Sequence, residues 1–525
     1  MAIHHHPARA RPDARVPPAR PARASRPRAA LPAPPMRPTT RALADARHRA
    51  RELTRGVALT VGQPTRATHP HVIAAEDELT PGTSAVEYAA RRRALAAALP
   101  ARSCAIFAAA PALRIPGTVI PVGRYRQDAD FAHVTGVAQA ECVAVVERGA
   151  SADDVRYTLV VPEYSERHAT WDGERINAAA AESVFGADEG IERGERAVAL
   201  VAAAMRRATG GVFMDIDKVD EDCDVVHRAM SAVALDGRPG GGVRPLRGVA
   251  HRLRWRKSEA EVTLLRRSVD LDIQAFVRAF QTSEVGSTEA AVSAQHEAAC
   301  RIGGADRLAY PSVVASGAGA CVVHYHHNDK LLEDGDLLLM DAGCELNGYA
   351  SDITRTWPIN GKWTGPQLDV YSAVLEAHQA CLAAARADGS TSLMDLHRLS
   401  IDVLAAGLAK LLPNTSARTL IRTGAYAKYY PHSVGHWLGA DTHDVPSVSV
   451  STPFETNVTF TIEPGLYFPP DDPDVPPHLR GIGVRVEDDC VVESSGRAVA
   501  LSAALPVDPD AVAALASSTF FRPLA

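Results

Sequence analysis

The chain has 525 residues, of which 46% are hydrophobic and 22% charged, and its formal net charge is −6. This composition is typical of a soluble globular protein, and the length is enough for about three domains. No apolar run approaches the ~20 residues that a membrane-spanning helix needs, and the slightly negative charge does not favour nucleic-acid binding. The eight cysteines are scattered without a C-x-x-C pair, which is typical of free thiols in a reducing compartment.

Residues 1–60 differ in composition from the rest of the chain. They are rich in Arg, Ala and Pro, and Asp13 is the only acid before Asp45. A basic segment poor in acids is typical of an organelle transit peptide, although frequent Pro and scarce Ser also fit a disordered leader with no address. We expect a targeting leader that directs the protein to the mitochondrion, and otherwise a cytoplasmic location.

Residues 67–250 alternate between helical and extended patterns. Helices are predicted at 85–99 and 197–207, and strands at 104–108, 141–147 and 157–161. Strands that alternate with helices indicate a three-layer α/β domain.

Residues 255–505 are predicted to form a second domain, followed by a tail at 506–525. Ser258 with Glu261 three residues later forms a capping box, which begins a helix that runs to about Thr282. Further helices are expected at about 287–301, 366–386 and 392–412.

A predicted hairpin in this domain carries two acids. Asn347-Gly348 is typical of a type I′ turn, so Asp341 lies opposite Thr354 and Gly343 opposite Asp352. Asp341 and Asp352 then share one face as diagonal neighbours, with backbones about 7–8 Å apart. Two acids in an apolar hairpin repel each other and lose hydration, so the pair is either a cation site or exposed on an edge.

Two downstream strands also place polar residues at every second position. Glu463 ends one such strand, and Arg485 and Glu487 alternate with valines in the other. This alternation indicates a solvated or functional face. His436, between glycine and tryptophan, lies between the hairpin and these strands and is a further candidate ligand.

Four motifs together resemble one known family. DAGCELNGYASDITRTWPING begins at Asp341, PHSVGHWLGADTHDV at Pro431, TIEPGLY at Thr461 and GIGVRVEDDCVV at Gly481. They are similar to motifs of the dinuclear metallopeptidases of the methionine aminopeptidase, aminopeptidase P and prolidase clan, and most similar to aminopeptidase P. Residues 62–93 resemble its mitochondrial branch. The resemblance implies an α/β (α+β) fold in which an aminopeptidase P N-terminal domain precedes a pita-bread catalytic domain.

The resemblance also implies a ligand set for two divalent metal ions, with Mn²⁺ favoured by ligand hardness. The five implied ligands are Asp341, Asp352, His436, Glu463 and Glu487. Asp352 and Glu487 would contact both ions, and Glu463 would also carry a proton towards the leaving proline nitrogen.

Other site residues are implied by the same motifs. His324 and His443 occupy the two substrate-histidine positions, one near the scissile bond and one as a donor to the oxyanion. His432 would line the proline pocket, and Arg485 would orient a ligand carboxylate. The substrates implied are peptide or protein N-termini with proline second, and a homodimer is expected because relatives are often oligomers.

The sequence departs from the family after His443-Asp444. The segment that begins at Ser447 lacks the arginine usual near the proline pocket, and Phe454-Glu-Thr-Asn457 replaces the usual Pro-Gly turn. One alternative is therefore a mitochondrial intermediate-cleaving peptidase that removes one residue from processed imported proteins. A dipeptidase for Xaa-Pro is a second alternative. A non-catalytic peptide-binding module is the most remote, because all five ligand positions are present.

Overall fold

The computed structural model describes residues 60–220, 223–233 and 242–518. The predicted leader, apart from Thr60, therefore lies outside the described residues. The chain begins with a small hairpin, β1 (Glu78–Thr80) and β2 (Thr83–Ser84), which leads into helix α1 (Ala85–Ala98). Ser84 caps this helix by accepting from the amide of Glu87.

A five-stranded mixed sheet organises the N-terminal region. Its strands are β3 (Ser103–Ala108), β4 (Val143–Arg148), β5 (Val155–Val161), β6 (Glu189–Glu192) and β7 (Gly211–Phe213), in the order β6-β5-β4-β3-β7. The central pairs β3–β4 and β4–β5 are antiparallel, and the two outer pairs are parallel. β4 begins two residues later than predicted because Glu141 has a φ of 64°, which is incompatible with a strand.

Helices cover both faces of this sheet. Their bounds are α2 (Ala129–Thr135), α3 (Glu166–Asp172), α4 (Ala178–Ser183), α5 (Glu195–Arg207) and α6 (Asp224–Val233). Phe107 of β3 contributes to a core on one face with residues of α1, α2 and α4. Ile106 contributes to a core on the other face with residues of α5 and α6. The predicted three-layer α/β arrangement is confirmed.

Three helices lead from this sheet into the second region. They are α7 (Arg247–Trp255), α8 (Glu259–Thr282) and α9 (Glu289–Ile302). The predicted capping box at Ser258 and Glu261 is present, and α8 ends at Thr282 as expected. The buried face of α8 packs Phe276 and Phe280 against the hairpin strands described next.

The hairpin that carries the acids is built from short antiparallel strands. They are β8 (Arg307–Leu308), β9 (Val313–Ser316), β10 (Leu337–Ala342), β11 (Cys344–Leu346), β12 (Tyr349–Ala350) and β13 (Ile353–Pro358). Asp341 pairs with Thr354 and Leu346 with Tyr349, as predicted. Asn347 and Gly348 have φ values of 53° and 78°, as a type I′ turn requires.

Gly343 and Asp352 lie between these pairs in the same register, opposite each other as predicted. The regular strands are interrupted at these two residues, although the amide of Ser351 donates to the carbonyl of Cys344 (2.9 Å) in the predicted register. The amide of Asp352 donates to the carboxylate of Asp489 (2.9 Å). This bond ties the backbone of Asp352 to a segment 137 residues later in the chain, two residues after Glu487.

The remaining strands are also antiparallel, and helices lie outside them. The strands are β14 (Thr459–Ile462), β15 (Gly465–Tyr467), β16 (Gly483–Arg485), β17 (Asp488–Val492) and β18 (Ala498–Ala500), and the helices are α10 (Gly365–Ala384), α11 (Leu393–Leu411), α12 (Ala417–Thr423) and α13 (Pro509–Ala516). α13 lies in the predicted tail and buries Val512 in the same core as α8. In the described part of the chain, no helix has both the length and the apolar character needed to cross a bilayer.

Candidate metal centre

Three side chains from distant parts of the chain converge where the strands of the second region meet. One ligand atom each from Asp352, His436 and Glu487 lies within 4.8 Å of the other two. His436 Nε2 is 3.2 Å from Asp352 Oδ2. Asp352 and Glu487 are buried, with 5% and 2% of their surface exposed.

Glu487 lies where the chain changes its pairing partner, between a strand that pairs with β15 and a strand that pairs with β14. The single strand predicted to carry Arg485 and Glu487 is instead two strands, β16 and β17, with Glu487 between them. Its amide donates to the carbonyl of Thr354 (3.0 Å), so the chain pairs with β13 at this residue. The Thr354 hydroxyl then donates to Glu487 Oε2 (2.6 Å), which fixes the carboxylate beside Asp352.

The segment that carries His436 runs antiparallel beside β14. The backbone amide of Thr461 donates to the His436 carbonyl (2.9 Å), and the backbone amide of Glu463 donates to the carbonyl of Val434 (2.7 Å). His436 Nδ1 lies 3.1 Å from the carbonyl of Trp437. A proton on Nδ1 that is held this way leaves Nε2 as the ligand atom facing the acids.

Asp341 and Glu463 lie at the edge of this group. Asp341 accepts from Arg485 Nη2 (2.6 Å) and from the Tyr310 hydroxyl (2.6 Å). Glu463 Oε1 is 3.7 Å from His436 Nε2. The Tyr310 hydroxyl also donates to Asp352, so all five predicted ligands lie in one connected cluster.

The crowding of carboxylates changes their acidity. Burial, reinforced by Asp352, Glu463 and Asp341, holds the pKa of Glu487 well above its usual range. Burial also raises the pKa of Glu463 to about 7, although His436 and Arg485 oppose the rise. Buried acids that hold protons near neutral pH are chemically suited to exchange those protons for a cation.

The pKa of His436 is also raised, but by the neighbouring acids and not by burial. Burial lowers its pKa, but the hydrogen bond and the charge of Asp352 outweigh burial and raise the pKa to about 9. The proton on His436 thus takes the place of a cation between the ring and the acids. Four carboxylates and one imidazole grouped in this way fit a divalent metal site.

Arg485 organises one side of the cluster. It is 2% exposed, and its guanidinium donates to Asp341, to the hydroxyl of Tyr467 (Nη1, 2.8 Å) and to Thr354 (Nε, 3.1 Å). Three donors directed at three acceptors hold the side chain rigidly. The orientation of the Asp341 carboxylate is therefore set by Arg485.

Three further predicted histidines surround the cluster. The His443 ring lies 4.3 Å from that of His436, and this neighbour, together with burial, lowers the pKa of His443 to about 4. His432 Nε2 is 2.8 Å from the Tyr467 hydroxyl, and burial with Arg485 lowers the His432 pKa to about 3. Both rings are neutral at pH 7. His324 is exposed and stacks 6.2 Å from His326.

Sequence reasoning did not identify Tyr310 or Asp489. The Tyr310 hydroxyl contacts both Asp341 and Asp352, and Asp489 positions the backbone of Asp352. The only signal for Asp489 was its place in an acidic run after Glu487. Tyr310 lies 31 residues before Asp341, and no local pattern links the two.

A second buried group also contains residue types that bind metals, but its side chains are hydrogen-bonded to each other. Asp272, His296 and Cys300 lie together and are fully buried. His296 Nε2 is 2.7 Å from Asp272 Oδ1, so the ring and the carboxylate satisfy each other directly. We interpret this group as a hydrogen-bonded pair inside the core, beside a buried thiol.

A compact set of acids with one imidazole, flanked by neutral histidines and fixed by a buried arginine, is the arrangement of a metal-dependent hydrolase. The model of metallopeptidase family M24 matches residues 263–494, and that of the aminopeptidase P N-terminal domain matches residues 88–209. The chain belongs to the aminopeptidase P family of M24 metallopeptidases, as the sequence motifs predicted, and is therefore a hydrolase of the exopeptidase class whose family uses divalent metal ions.

Individual relatives match nearly the full described length. Mitochondrial intermediate cleaving peptidase 55 of Arabidopsis thaliana is 35% identical over 446 residues, covering 85% of each chain. Human Xaa-Pro aminopeptidase 3 is 35% identical over 447 residues, covering 82% of this chain and 86% of the relative. The structure of aminopeptidase P from E. coli in a low-pH form is 30% identical, with a TM-score of 0.76, and covers 83% of this chain and 98% of that one. The expected pita-bread fold is confirmed by this likeness.

Proposed function

We propose that the protein releases the N-terminal residue from peptides whose second residue is proline, using two divalent ions, with Mn²⁺ preferred. The observation that carries this proposal is the convergence of all five predicted ligands in one cluster. Carboxylate oxygens suit hard cations such as Mn²⁺, and one imidazole does not change that preference. Similarity to Xaa-Pro aminopeptidases supports proline as the second residue.

The five ligands would divide between the two ions. Asp352 and Glu487 would contact both, Asp341 would contact one, and His436 and Glu463 the other. Ions bound there would supply Lewis acidity that activates water and polarises the scissile carbonyl. The fixed Asp341 carboxylate, held by Arg485, provides the rigid geometry that such a site requires.

The residues around the ligands would then handle the proton and the substrate. Glu463, whose pKa is about 7 without metal, is suited to take a proton and pass it to the leaving nitrogen. Neutral His443 would donate to the oxyanion as charge develops, and His324 would contact the peptide. Neutral His432, beside Tyr467, would line the proline pocket.

A second substrate class is favoured by the segment after His443. The segment that begins at Ser447 lacks the family's arginine, and Ser447 itself is bonded to His251 of α7, with Ser447 Oγ 2.7 Å from His251 Nδ1. A pocket without that arginine need not require proline. Removal of a single residue from processed imported proteins is therefore the alternative, in line with the relative from Arabidopsis thaliana.

One paired assay separates these substrates. Two peptides that share the first residue, one with proline second and one with alanine, are incubated with Mn²⁺-loaded protein. Release of the first residue from the proline peptide alone supports the Xaa-Pro assignment, and equal release from both supports the presequence-trimming alternative. Release from neither would contradict both, and Xaa-Pro dipeptides would then test for a dipeptidase.

We also propose a mitochondrial location and a homodimer. The basic composition of residues 1–60 and the similarity to a mitochondrial relative support the location. A reporter fused to residues 1–60 would reach the mitochondrion, and a reporter that stays in the cytosol would contradict the proposal. Sedimentation of the purified protein would test the dimer, and a monomer at micromolar concentration would contradict it.

A further inference from the structure

The loop from His436 to Ser447 is anchored by buried charges. Asp444 is 3% exposed, and each of its carboxylate oxygens faces a cation. Oδ1 accepts from Arg254 Nη2, and Oδ2 accepts from Lys257 Nζ at 2.8 Å. Both cations are also at most 3% exposed. Breaking such a pair leaves an uncompensated buried charge, so the loop is firmly tied to α7 and to the residues that follow it.

The same arginine reaches into the N-terminal region. Arg254 Nη1 donates to Asp130 Oδ1 on α2, and Asp130 lies in the part of the chain matched by the N-terminal domain model. His251, one turn earlier on α7, makes a parallel link. Its Nε2 is 3.4 Å from Asp130 Oδ2, and its Nδ1 is 2.7 Å from Ser447 Oγ. Two side chains of α7 thus join Asp130 to the loop.

The backbone of the loop is strained at the residue that follows Asp444. Val445 has a φ of 42° and is fully buried, a conformation that a β-branched residue rarely adopts. The loop also folds tightly around the Asp444 side chain, because a Cβ at Gly439 would lie 2.3 Å from Asp444 Oδ2. Strain of this kind persists only where the surroundings enforce it, and the buried ion pairs of the neighbouring Asp444 are such a constraint.

The strained turn follows His443 directly, and the His443 ring is 4.3 Å from that of His436. We propose that Asp130 and Arg254 are positioning residues that act through Asp444 to hold His443 over the metal centre, so that the N-terminal domain sets the catalytic geometry. This inference rests on the proposed function of His443. The connected set Asp130, Arg254 and Asp444 is called the clamp below.

The first test measures loop order without using activity. Arg254→Lys keeps the charge but cannot span two carboxylates on opposite sides, because only guanidinium has the forked geometry. We expect amide hydrogen exchange over residues 437–448 to rise at least tenfold in this variant. Arg266→Lys is the matched control, because Arg266 pairs with Glu493 on an exposed face of α8. Asp130→Asn removes the charge at the far end of the clamp, where Asp130 also pairs with Lys218 (2.7 Å), and should raise exchange in the same segment.

The second test is a cycle with His443→Ala, measured on metal-loaded protein with the proline peptide. A displacement of about 1 Å can cost about 100-fold in rate, so Arg254→Lys should lower kcat 10- to 100-fold with little change in KM. In the His443→Ala background, the same substitution should lower kcat less than threefold, because its effect passes through His443.

Each result decides a separate part of the inference. Unchanged exchange over residues 437–448 in both variants would overturn the clamp. If exchange rises but Arg254→Lys still lowers kcat 10- to 100-fold in the His443→Ala background, the link to His443 is overturned. If wild-type protein cleaves no peptide while exchange rises as expected, the proposed function fails and the clamp stands.

Discussion

Protons bound within the metal centre determine how it should respond to pH. Metal ligands must lose their protons to bind, and without metal the pKa values of His436 and Glu463 are about 9 and 7. At pH 7, His436 is mostly protonated and Glu463 is half protonated. Loading therefore releases protons, and affinity rises as pH increases through these pKa values.

We predict that Mn²⁺ affinity rises at least about tenfold between pH 7 and 8, because His436 loses one proton and the raised pKa values of Glu463 and Glu487 add to the protons released. Between pH 6 and 7 the rise should be steeper, since Glu463 also releases its proton. Calorimetry in two buffers of different ionisation enthalpy measures the protons released. Binding heats that do not differ between the buffers would show that the ligands are already deprotonated and would contradict this assignment.

The proton-transfer role of Glu463 is tested by Glu463→Gln. The amide keeps one oxygen ligand but cannot accept a proton, so we predict that kcat falls by about 10²- to 10⁴-fold. Glu455→Gln is the control, because Glu455 is an exposed partner of Arg252 in the same part of the chain. Full activity in metal-loaded Glu463→Gln would assign the proton transfer to another group.

At the scale of elements, helix α8 supports the hairpin of the metal centre through its N-terminus. Ser258 caps the helix, and its hydroxyl also donates to Glu87 (2.7 Å) of α1. Loss of the cap costs about 1 kcal/mol, and loss of a hydrogen bond to a carboxylate adds to that cost. Ser258 therefore stabilises both α8 and its contact with α1.

We predict that Ser258→Ala lowers the free energy of unfolding by about 2 kcal/mol, measured by urea denaturation. Ser165→Ala is the matched control, because Ser165 caps α3, which buries none of its residues. Local fraying of α3 should leave global stability nearly unchanged. Equal losses in the two variants would mean that the contact between α8 and α1 adds no stability.

The sequence predicted the elements of this region where local chemistry determines them. The Asn347-Gly348 turn fixes the register of the hairpin, so the pairing of Asp341 with Thr354 was correct. The sequence could not predict the interruption of the strands at Gly343 or the change of strand partner at Glu487. Both depend on hydrogen bonds to distant segments, such as the amide of Asp352 with Asp489, which lie 137 residues apart.

At the scale of the whole molecule, long-range ion pairs join regions that the sequence presented as separate domains. Arg254 contacts Asp130 and Asp444, which lie 124 and 190 residues away. Arg126 likewise bonds to Glu345 and Asp441. Such contacts leave no periodic or local pattern in a single sequence, so the motifs identified the ligands but not the network that holds their loops.

The fold does not depend on disulfides. All eight cysteines are free, and all but Cys223 and Cys321 are buried. Burial raises the pKa of both of these thiols, that of Cys321 to about 11, so their thiolates are scarce at pH 7. We predict that a thiol reagent labels at most these two residues, slowly, in native protein and all eight after denaturation. Fewer than eight labelled thiols without reductant would reveal a disulfide.

Five side chains are proposed to hold two divalent ions that enable peptide hydrolysis. Titration of metal-free protein with Mn²⁺, with hydrolysis of the proline peptide followed on the same samples, tests it most directly. We predict two ions per chain, activity that appears as they bind, and loss of both in Asp352→Asn, which removes a carboxylate proposed to contact both ions. Failure to bind Mn²⁺, or hydrolysis that persists unchanged in a chelator, would contradict the account.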